Sequence, residues 1–384
     1  MGTSFGVAWK QLSHSRAKML IAAAGVAVAV LLMMMQLGFM NAAYDSALAI
    51  PKQMQADLVI LNPVTPSITK PAPFSRRLLY RMQAHPDVAA VQGIYQGAGK
   101  WRNPWTHEDA TMMIYGLEPS VDLFRIPGYS EQKSKLRSND TILFDSRSRP
   151  IFGPVVDKYN QGERVEAEVN SRRIRVVGLT ESGSSFAVDG TGFTSEANFL
   201  RLVPGRSPGF IDVGLVQLKP GADAKRVRNE LQQTLGQDVR ILTGPEFLEY
   251  ELKFINSKSP IQFIFGMGAA VGFFIGFVIV YQILYTDVAN QLPKFATMKA
   301  IGFGDFYLMR VVFEQAIYIS LLGFVPGLIG SWGLYTFAAK VTRLPLGLKP
   351  GLVTGVFVLT VVMCAISGAA ATRKLRAADP ADVF

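Results

Sequence analysis

The chain is short of the residue types from which most chemical sites are built. It has 1 cysteine, Cys364, and 3 histidines, His14, His85 and His107, in 384 residues. A single thiol excludes an intramolecular disulfide framework and any cysteine-rich zinc site. Three scattered histidines leave little material for a histidine-based metal centre. Charge is scarce too: 18% of residues are Asp, Glu, Lys or Arg, against about 25% in an ordinary soluble domain. No G-x-x-x-x-G-K-[ST] loop is present, which excludes a Walker-type nucleotide site in this chain. Nor is there an H-E-x-x-H, G-x-S-x-G or C-x-x-C motif. The expectation is a protein that is not itself an enzyme and that carries no cofactor and no metal.

Apolar residues are abundant, at 49%, and mean hydropathy is +0.23. They concentrate in four runs, Met19–Met40, Ile261–Tyr285, Val311–Ala339 and Leu352–Thr372, and the only acid in any of them is Glu314. A bilayer core about 30 Å thick takes roughly 20 apolar residues in a helix. Each run therefore reads as a transmembrane helix. A cleaved signal peptide is the rival reading of the first run, with Lys10, Arg16 and Lys18 ahead of it and Ala47-Leu48-Ala49 as a small-residue site. Its apolar stretch is too long for that and the site lies well beyond it, so the run is read as a retained helix. Lys and Arg flanking the helices favour both termini inside, by the positive-inside rule. Lys340, Arg343 and Lys349, in the short loop between helices three and four, run against that rule.

The net charge of +10 first suggests a polyanion partner. The long segment 43–259 holds 27 basic and 24 acidic residues, so most of the excess lies in helix flanks and cytoplasmic loops. No basic stripe with interleaved aromatics exists, and nucleic-acid binding is not expected.

Segment 43–259 has the composition of a globular α+β domain, long enough for its own core and for two lobes. Strands are predicted at 56–61, 88–95, 110–117, 213–218 and 239–242, and helices at 74–84, 195–202 and 222–235. A hairpin is predicted with Asn170-Ser171 at its turn, joining 164–169 to 172–179. Helix one is expected to continue through Asn41–Ile50, and Glu246–Asn256 to lead helically into helix two, together forming a stalk. The predicted layout is a cytoplasmic segment 1–18, helix one 19–42, the inserted domain 43–259, helix two 260–285, a cytoplasmic segment 286–309, helix three 310–339, a short outer loop 340–350, helix four 351–372 and a cytoplasmic tail 373–384.

Candidate chemical groups are weak. His107-Glu108-Asp109 reads as a polar loop, since one histidine beside two adjacent acids lacks ligand geometry. Asp140 and Asp145 fall in a turn-rich stretch and read as solvated. Arg173 and Arg175 alternate on a strand and read as a solvated face. Cys364 reads as a small packing residue within helix four. The helices say more. Gly268, Gly272 and Gly276 recur at four-residue spacing on helix two, Gly323 and Gly327 on helix three, and Gly351 and Gly355 on helix four. That spacing puts small residues on one face, where another helix or a second copy of the chain can approach closely. Pro326 is expected to kink helix three, and Glu314 to pair with Arg310 one turn earlier. The spans lack paired intramembrane charges, which argues against an ion- or proton-driven carrier.

Asp287–Glu314, reading DVANQLPKFATMKAIGFGDFYLMRVVFE, resembles the cytoplasmic coupling loop of the FtsX-like/MacB-like ABC transporter permeases. The C-terminal RKLRAADPADVF looks like that family's closing basic segment. Within the family, MQLGFMNAAYDSA (Met35–Ala47), ILFDSRSRPIFGP (Ile142–Pro154) and LPKFATMKAIGF (Leu292–Phe303) are most similar to DevC-type permeases. The resemblance runs over essentially the whole chain. It implies a membrane protein of four transmembrane α-helices, one plus three, with a large α+β extracytoplasmic domain inserted between helices one and two. It further implies a bacterial inner-membrane homodimer driven by a separate ABC ATPase, which moves the stalks and outer domains by mechanotransmission. DevC-type systems add a membrane fusion protein and a TolC-like outer-membrane channel, and export glycolipid or another envelope substrate from among membrane lipids. Lys294, Phe295, Met298, Lys299 and Ile301 would form the ATPase-coupling surface, bounded by Pro293 and Gly302. One departure is Lys294, where many relatives carry an acid. An FtsX-like regulator of an extracytoplasmic partner and a lipoprotein-release permease stay open as alternatives.

Overall fold

The computed structural model describes residues 16–183, 188–258, 260–291 and 305–377. The chain divides into two compact units. One takes in the chain up to Asn41, Pro260–Ala338 and the chain from Leu346 onward; the other is Ala42–Ser259 together with Ala339–Pro345.

The helical unit is built on α1 (Arg16–Ala47), α8 (Ile261–Asn290), α9 (Asp305–Thr342) and α10 (Pro350–Ala377). These 4 helices are long and apolar enough to cross a bilayer. They run past the predicted spans because an apolar run does not mark where a helix stops: α8 continues to Asn290 and α9 to Thr342. Helix α1 is the axis of the packing, with Val26, Ala29, Val30, Met33 and Met34 fully buried. Large side chains of α8 such as Phe263, Phe274 and Val278 face outward, as lipid contact requires. Cys364 is buried in the helix core, and Pro326 lies inside α9.

In the inserted domain a nine-stranded sheet has the order β11-β1-β10-β3-β4-β8-β5-β7-β6. The strands are β1 (Leu58–Leu61), β3 (Val88–Arg102), β4 (Asp109–Leu117), β5 (Thr141–Asp145), β6 (Glu166–Val169), β7 (Arg172–Thr180), β8 (Gly190–Ser195), β10 (Val213–Leu218) and β11 (Arg240–Thr243). A separate short pair joins β2 (Phe74–Ser75) to β9 (Phe210–Ile211). Strand β3 also pairs with β6, Trp101 opposite Val169. Strands β3, β4, β8, β5, β7 and β6 thus close on themselves as a barrel, which removes two sheet edges. The first half of β3 belongs instead to an antiparallel sheet with β10, β1 and β11. One 15-residue strand therefore serves both lobes.

Local chemistry explains the elements. Asn170 and Ser171 both have positive φ, 49° and 64°, the left-handed pair that a tight hairpin turn needs. Helix α3 (Arg76–Gln83) and helix α6 (Ala224–Leu235) bury Leu79, Met82, Val227, Leu231 and Leu235 against the first lobe. Asp223 caps α6, accepting from the Lys225 and Arg226 N–H groups. Ser195 likewise caps α5 (Glu196–Leu202), the helix that packs Phe199 onto the barrel. At Gly116 an added Cβ would sit 2.5 Å from Phe199 Cβ, so that contact depends on glycine. The lobes are held together by Arg76 of α3, whose guanidinium donates to both carboxylate oxygens of Glu196 at 2.6 and 3.1 Å.

Strand β5 replaces the turn-rich stretch expected around Asp140 and Asp145. Asp145 is not solvated: it ends β5 fully buried. Asp140 sits in a left-handed turn before the strand and pairs with Arg172 and Arg201. Arg173 is exposed as expected and pairs with Glu166.

Candidate functional site

The residues singled out for ATPase coupling, Lys294, Phe295, Met298, Lys299 and Ile301, lie outside the described residues. The helix that follows them carries the expected ion pair. Arg310 Nε donates to Glu314 Oε1 at 3.1 Å, and Glu314 is 4% exposed.

The glycines are placed against α1 of the same chain. An added Cβ at Gly268 would meet Gln36 at 2.5 Å, at Gly272 Leu32 at 3.1 Å, and at Gly276 Met363 Sδ at 2.4 Å and Ala29 at 2.6 Å. On α9, Gly323 would meet Val26 at 2.4 Å and Gly327 the Ala27 carbonyl oxygen at 2.8 Å. The four-residue spacing thus makes two seams, one from α8 and one from α9, that let α1 in between them. Tyr335 adds a hydrogen bond to the Met34 carbonyl oxygen. Gly351 and Gly355 meet nothing within 4 Å.

The inserted domain is gripped at its base by the segments that join it to the membrane helices. Helix α7 (Gly244–Lys258) starts at a capping box: Thr243 N–H donates to Glu246 Oε2 at 2.9 Å, and Glu246 N–H to Thr243 Oγ1 at 3.5 Å. The Thr243 N–H holds the Glu246 carboxyl below the usual carboxylate range. One turn on, α7 clamps the proline-punctuated loop 62–73. Tyr250 Oη donates to the Thr65 carbonyl oxygen at 2.6 Å. Arg240 lies over the Tyr250 ring, 4.9 Å from its centre, and donates to the Pro63 carbonyl oxygen at 2.8 Å. Glu251, 1% exposed, accepts from Ser67 Oγ at 2.7 Å and from Ile68 N–H at 2.8 Å. Burial pushes its carboxyl up, against those two hydrogen bonds. A buried carboxylate with both oxygens engaged fixes a loop to a helix by charge-assisted bonds.

The other connection is fixed as well. Tyr44, in the last turn of α1, donates to Asn256 Oδ1 of α7 at 2.5 Å. Helix α2 (Ala49–Gln53) ties to the barrel through Gln53 Nε2, which donates to the Ser182 carbonyl oxygen at 3.1 Å. Ser182 N–H in turn donates to Asp145 Oδ1 at 3.1 Å. Burial pushes the Asp145 carboxyl up to about 6, against hydrogen bonds from Arg147 and Ser182. The chain entering and the chain leaving the domain pack on one apolar cluster, Ile50 and Met54 from the first and Phe247 and Tyr250 from the second. Nothing in the sequence marks Glu251, which reads as one more acid on a polar helix face. Its only signal is a loop of four prolines that needs an anchor. Among the described residues no cluster of three or more His, Cys, Asp or Glu is placed to hold a metal ion.

A four-helix membrane unit with a two-lobed domain between its first and second helices defines a class, and family comparison identifies it. Residues 19–234 match the model described as MacB-like periplasmic core domain, and residues 266–380 the model described as FtsX-like permease C-terminal. The chain belongs to this MacB/FtsX family and is an ABC transporter permease of that type. It is similar to an uncharacterized ABC transporter permease of Mycobacterium tuberculosis, found in strains CDC 1551 / Oshkosh and ATCC 25618 / H37Rv. Identity is 24% over 295 residues, covering 69% of this chain and 78% of the relative. Two solved structures are also similar. The periplasmic region of MacB from Actinobacillus actinomycetemcomitans is 12% identical with a TM-score of 0.38, over 54% of this chain and 96% of that one. The extracellular domain of the ABC-type transporter YknZ from Gram-positive bacteria is 12% identical with a TM-score of 0.34, over 48% and 99%. The permease family implies an ABC ATPase as partner.

Proposed function

We propose that the chain transmits the motion of a separate ATPase through its membrane helices to the inserted domain. It acts as a homodimer in a bacterial inner membrane, with both termini cytoplasmic and the domain on the periplasmic side. Segment 286–309 receives the ATPase, with Lys294, Phe295, Met298, Lys299 and Ile301 at the contact. The output is export of a glycolipid or another envelope substrate, handed on through a membrane fusion protein and a TolC-like outer-membrane channel. The observation that carries the reading is the base of the domain. Tyr44–Asn256 and the Glu251 clamp make the two connecting segments and the proline loop one rigid joint, which a force transmitter needs and a passive anchor does not. The experiment is to purify the chain with its ATPase and measure hydrolysis. Phe295→Ala with Met298→Ala is expected to leave the chain in the membrane while lowering coupled ATP hydrolysis at least about tenfold. Unchanged coupled hydrolysis would remove the assigned contact. A cell-wall hydrolase retained on the domain in place of a fusion protein would turn the reading to a regulator.

A further inference from the structure

Strand register brings four side chains together on one face of the barrel. Gln96 of β3 lies opposite Tyr115 of β4, and Met113 of β4 lies opposite Thr191 of β8. Residues opposite one another, or two apart on one strand, project to the same side of a sheet. These four line a cavity of about 70 Å³, bounded on its other side by Ile50 of α2 and by Ile68 and Thr69 of the proline loop. Every wall belongs to the inserted domain. Tyr115 is 5% exposed and Thr191 4%. Neither hydroxyl makes a hydrogen bond among the described residues, and neither oxygen is fully enclosed. Gln96, also 5% exposed, gives its backbone N–H to Asp212, but its side-chain amide bonds to nothing. Gln96 Oε1 is fully enclosed, which leaves Nε2 as the end that a ligand can reach. Buried polar groups left unpaired cost free energy that a bound molecule recovers. No described residue lining the cavity carries a charge. Burial, with the Glu251 charge second, pushes the Tyr115 hydroxyl up, so it stays a proton donor near neutral pH.

We infer that this cavity binds a small uncharged polyol. Two hydroxyls and an amide N–H suit a ligand that both donates and accepts hydrogen bonds. The uncharged lining gives a carboxylate, phosphate or ammonium group nothing to pair with, and burying such a charge alone is costly. Ile50, Ile68 and Met113 offer apolar contact to a short carbon chain. Size sets the limit. One water needs about 10–15 Å³ of such space, so the cavity takes about five non-hydrogen atoms. A ligand in place touches α2 and the barrel strands at once. Thr69 carries the contact further, since its hydroxyl lies 3.0 Å from Ser67 Oγ, which donates to Glu251. Occupancy therefore bears on the joint between the entering segment and the domain, whichever substrate the protein exports.

The test titrates the full chain, with isotope-labelled methionine methyl groups, in micelles of lauryldimethylamine oxide, a detergent without hydroxyls. Nuclear magnetic resonance reads the Met113 methyl signal, identified as the one lost in Met113→Leu. The probes are propylene glycol and acetate. Propylene glycol is expected to shift the Met113 signal saturably, and acetate to leave it in place. Tyr115→Phe with Thr191→Val removes both hydroxyls without breaking an internal hydrogen bond. The double variant should therefore melt no lower than wild type and bind propylene glycol at least about tenfold more weakly. Thr191→Val alone, the milder change, should weaken binding severalfold and keeps the test readable should the double variant not fold. A saturable shift by acetate would overturn the uncharged chemistry. No saturable shift by propylene glycol would leave the cavity to water alone and overturn the site. Equal binding by wild type and both variants would overturn it too.

Discussion

The two units of this molecule reach close packing with different weight on glycine and on aromatic bulk. In the helical unit the approach is made by absence. Gly268, Gly272, Gly276, Gly323 and Gly327 remove side chains so that α1 can lie against two neighbours. In the inserted domain glycine serves this end at Gly116, but aromatic bulk fills the layers: Trp101 packs tilted and edge-on against Phe144 and Phe152, and Tyr115, Tyr129 and Phe193 form a second cluster. Buried acid differs as sharply. The domain buries Asp145, Asp212 and Glu251, each at a junction between segments, whereas Glu314 is the one buried acid of the helical unit among the described residues. The difference follows from the solvent. Lipid gives helices no hydrophobic drive to associate, so shape decides, whereas a water-exposed domain has apolar burial in surplus and can place charge where a joint must be specific.

The sharpest way to break the comparison is to remove a buried acid from the domain. Asp212 accepts from Arg206 at 2.5 Å and from Gln96 N–H at 2.7 Å. Asp212→Ala leaves both donors unpaired and is expected to cost about 4 kcal/mol, read as a lost or strongly lowered unfolding transition of the purified chain.

Next in size is Asp145. Its carboxyl is raised from 3.8 to about 6, so the folded state holds the proton more tightly than the unfolded state. Its contribution to stability is complete below the ordinary carboxylate value, falls as pH rises through that window, and is gone above about 6. Asp145→Asn should flatten this dependence, removing a penalty of up to about 3 kcal/mol near neutral pH. Denaturation midpoints across the acidic to neutral range measure it. A wild-type chain as stable at neutral pH as in mild acid would show that Asp145 does not carry it.

The helical unit should respond to added volume. Gly323→Val places a branched side chain where even a Cβ lies 2.4 Å from Val26, at a cost of about 2 kcal/mol. Gly355→Val, where nothing lies within 4 Å, should cost less than about 0.5 kcal/mol from packing. Paired thermal scans in micelles decide between them. Equal losses would mean that the seam is not what holds α1.

Much of this was readable in the sequence, and the gaps have physical causes. The four apolar runs, the Asn170-Ser171 hairpin and the amphipathic α6 carry their own periodicity or turn chemistry. Strand β3 was expected to stop at Tyr95 because Gln96-Gly97-Ala98-Gly99 is poor strand sequence. Barrel closure through Trp101 and Val169 overrides that local preference. Strand β8 is Gly190–Ser195, buried at every position, so it lacks the alternation that marks a strand. Strand β5 is short and bounded by acids, and only its tertiary pairing with β7 and β8 makes Asp145 a buried group. The coupling residues Lys294–Ile301 were legible only by resemblance. The Glu251 clamp was not legible, because its partners Ser67 and Ile68 lie far away in the chain.

The central claim is that motion reaches the domain through the Glu251 joint. Its most direct test is a distance measurement by pulsed electron paramagnetic resonance on the full chain with its ATPase. A spin label is placed at Gln233→Cys, exposed on α6, with Cys364→Ser removing the native thiol. The account predicts that the label-to-label distance across the homodimer changes between nucleotide-free and ATP-bound states, and that Glu251→Gln abolishes the change while hydrolysis continues. A distance that stays the same in both states while ATP is hydrolysed would contradict it.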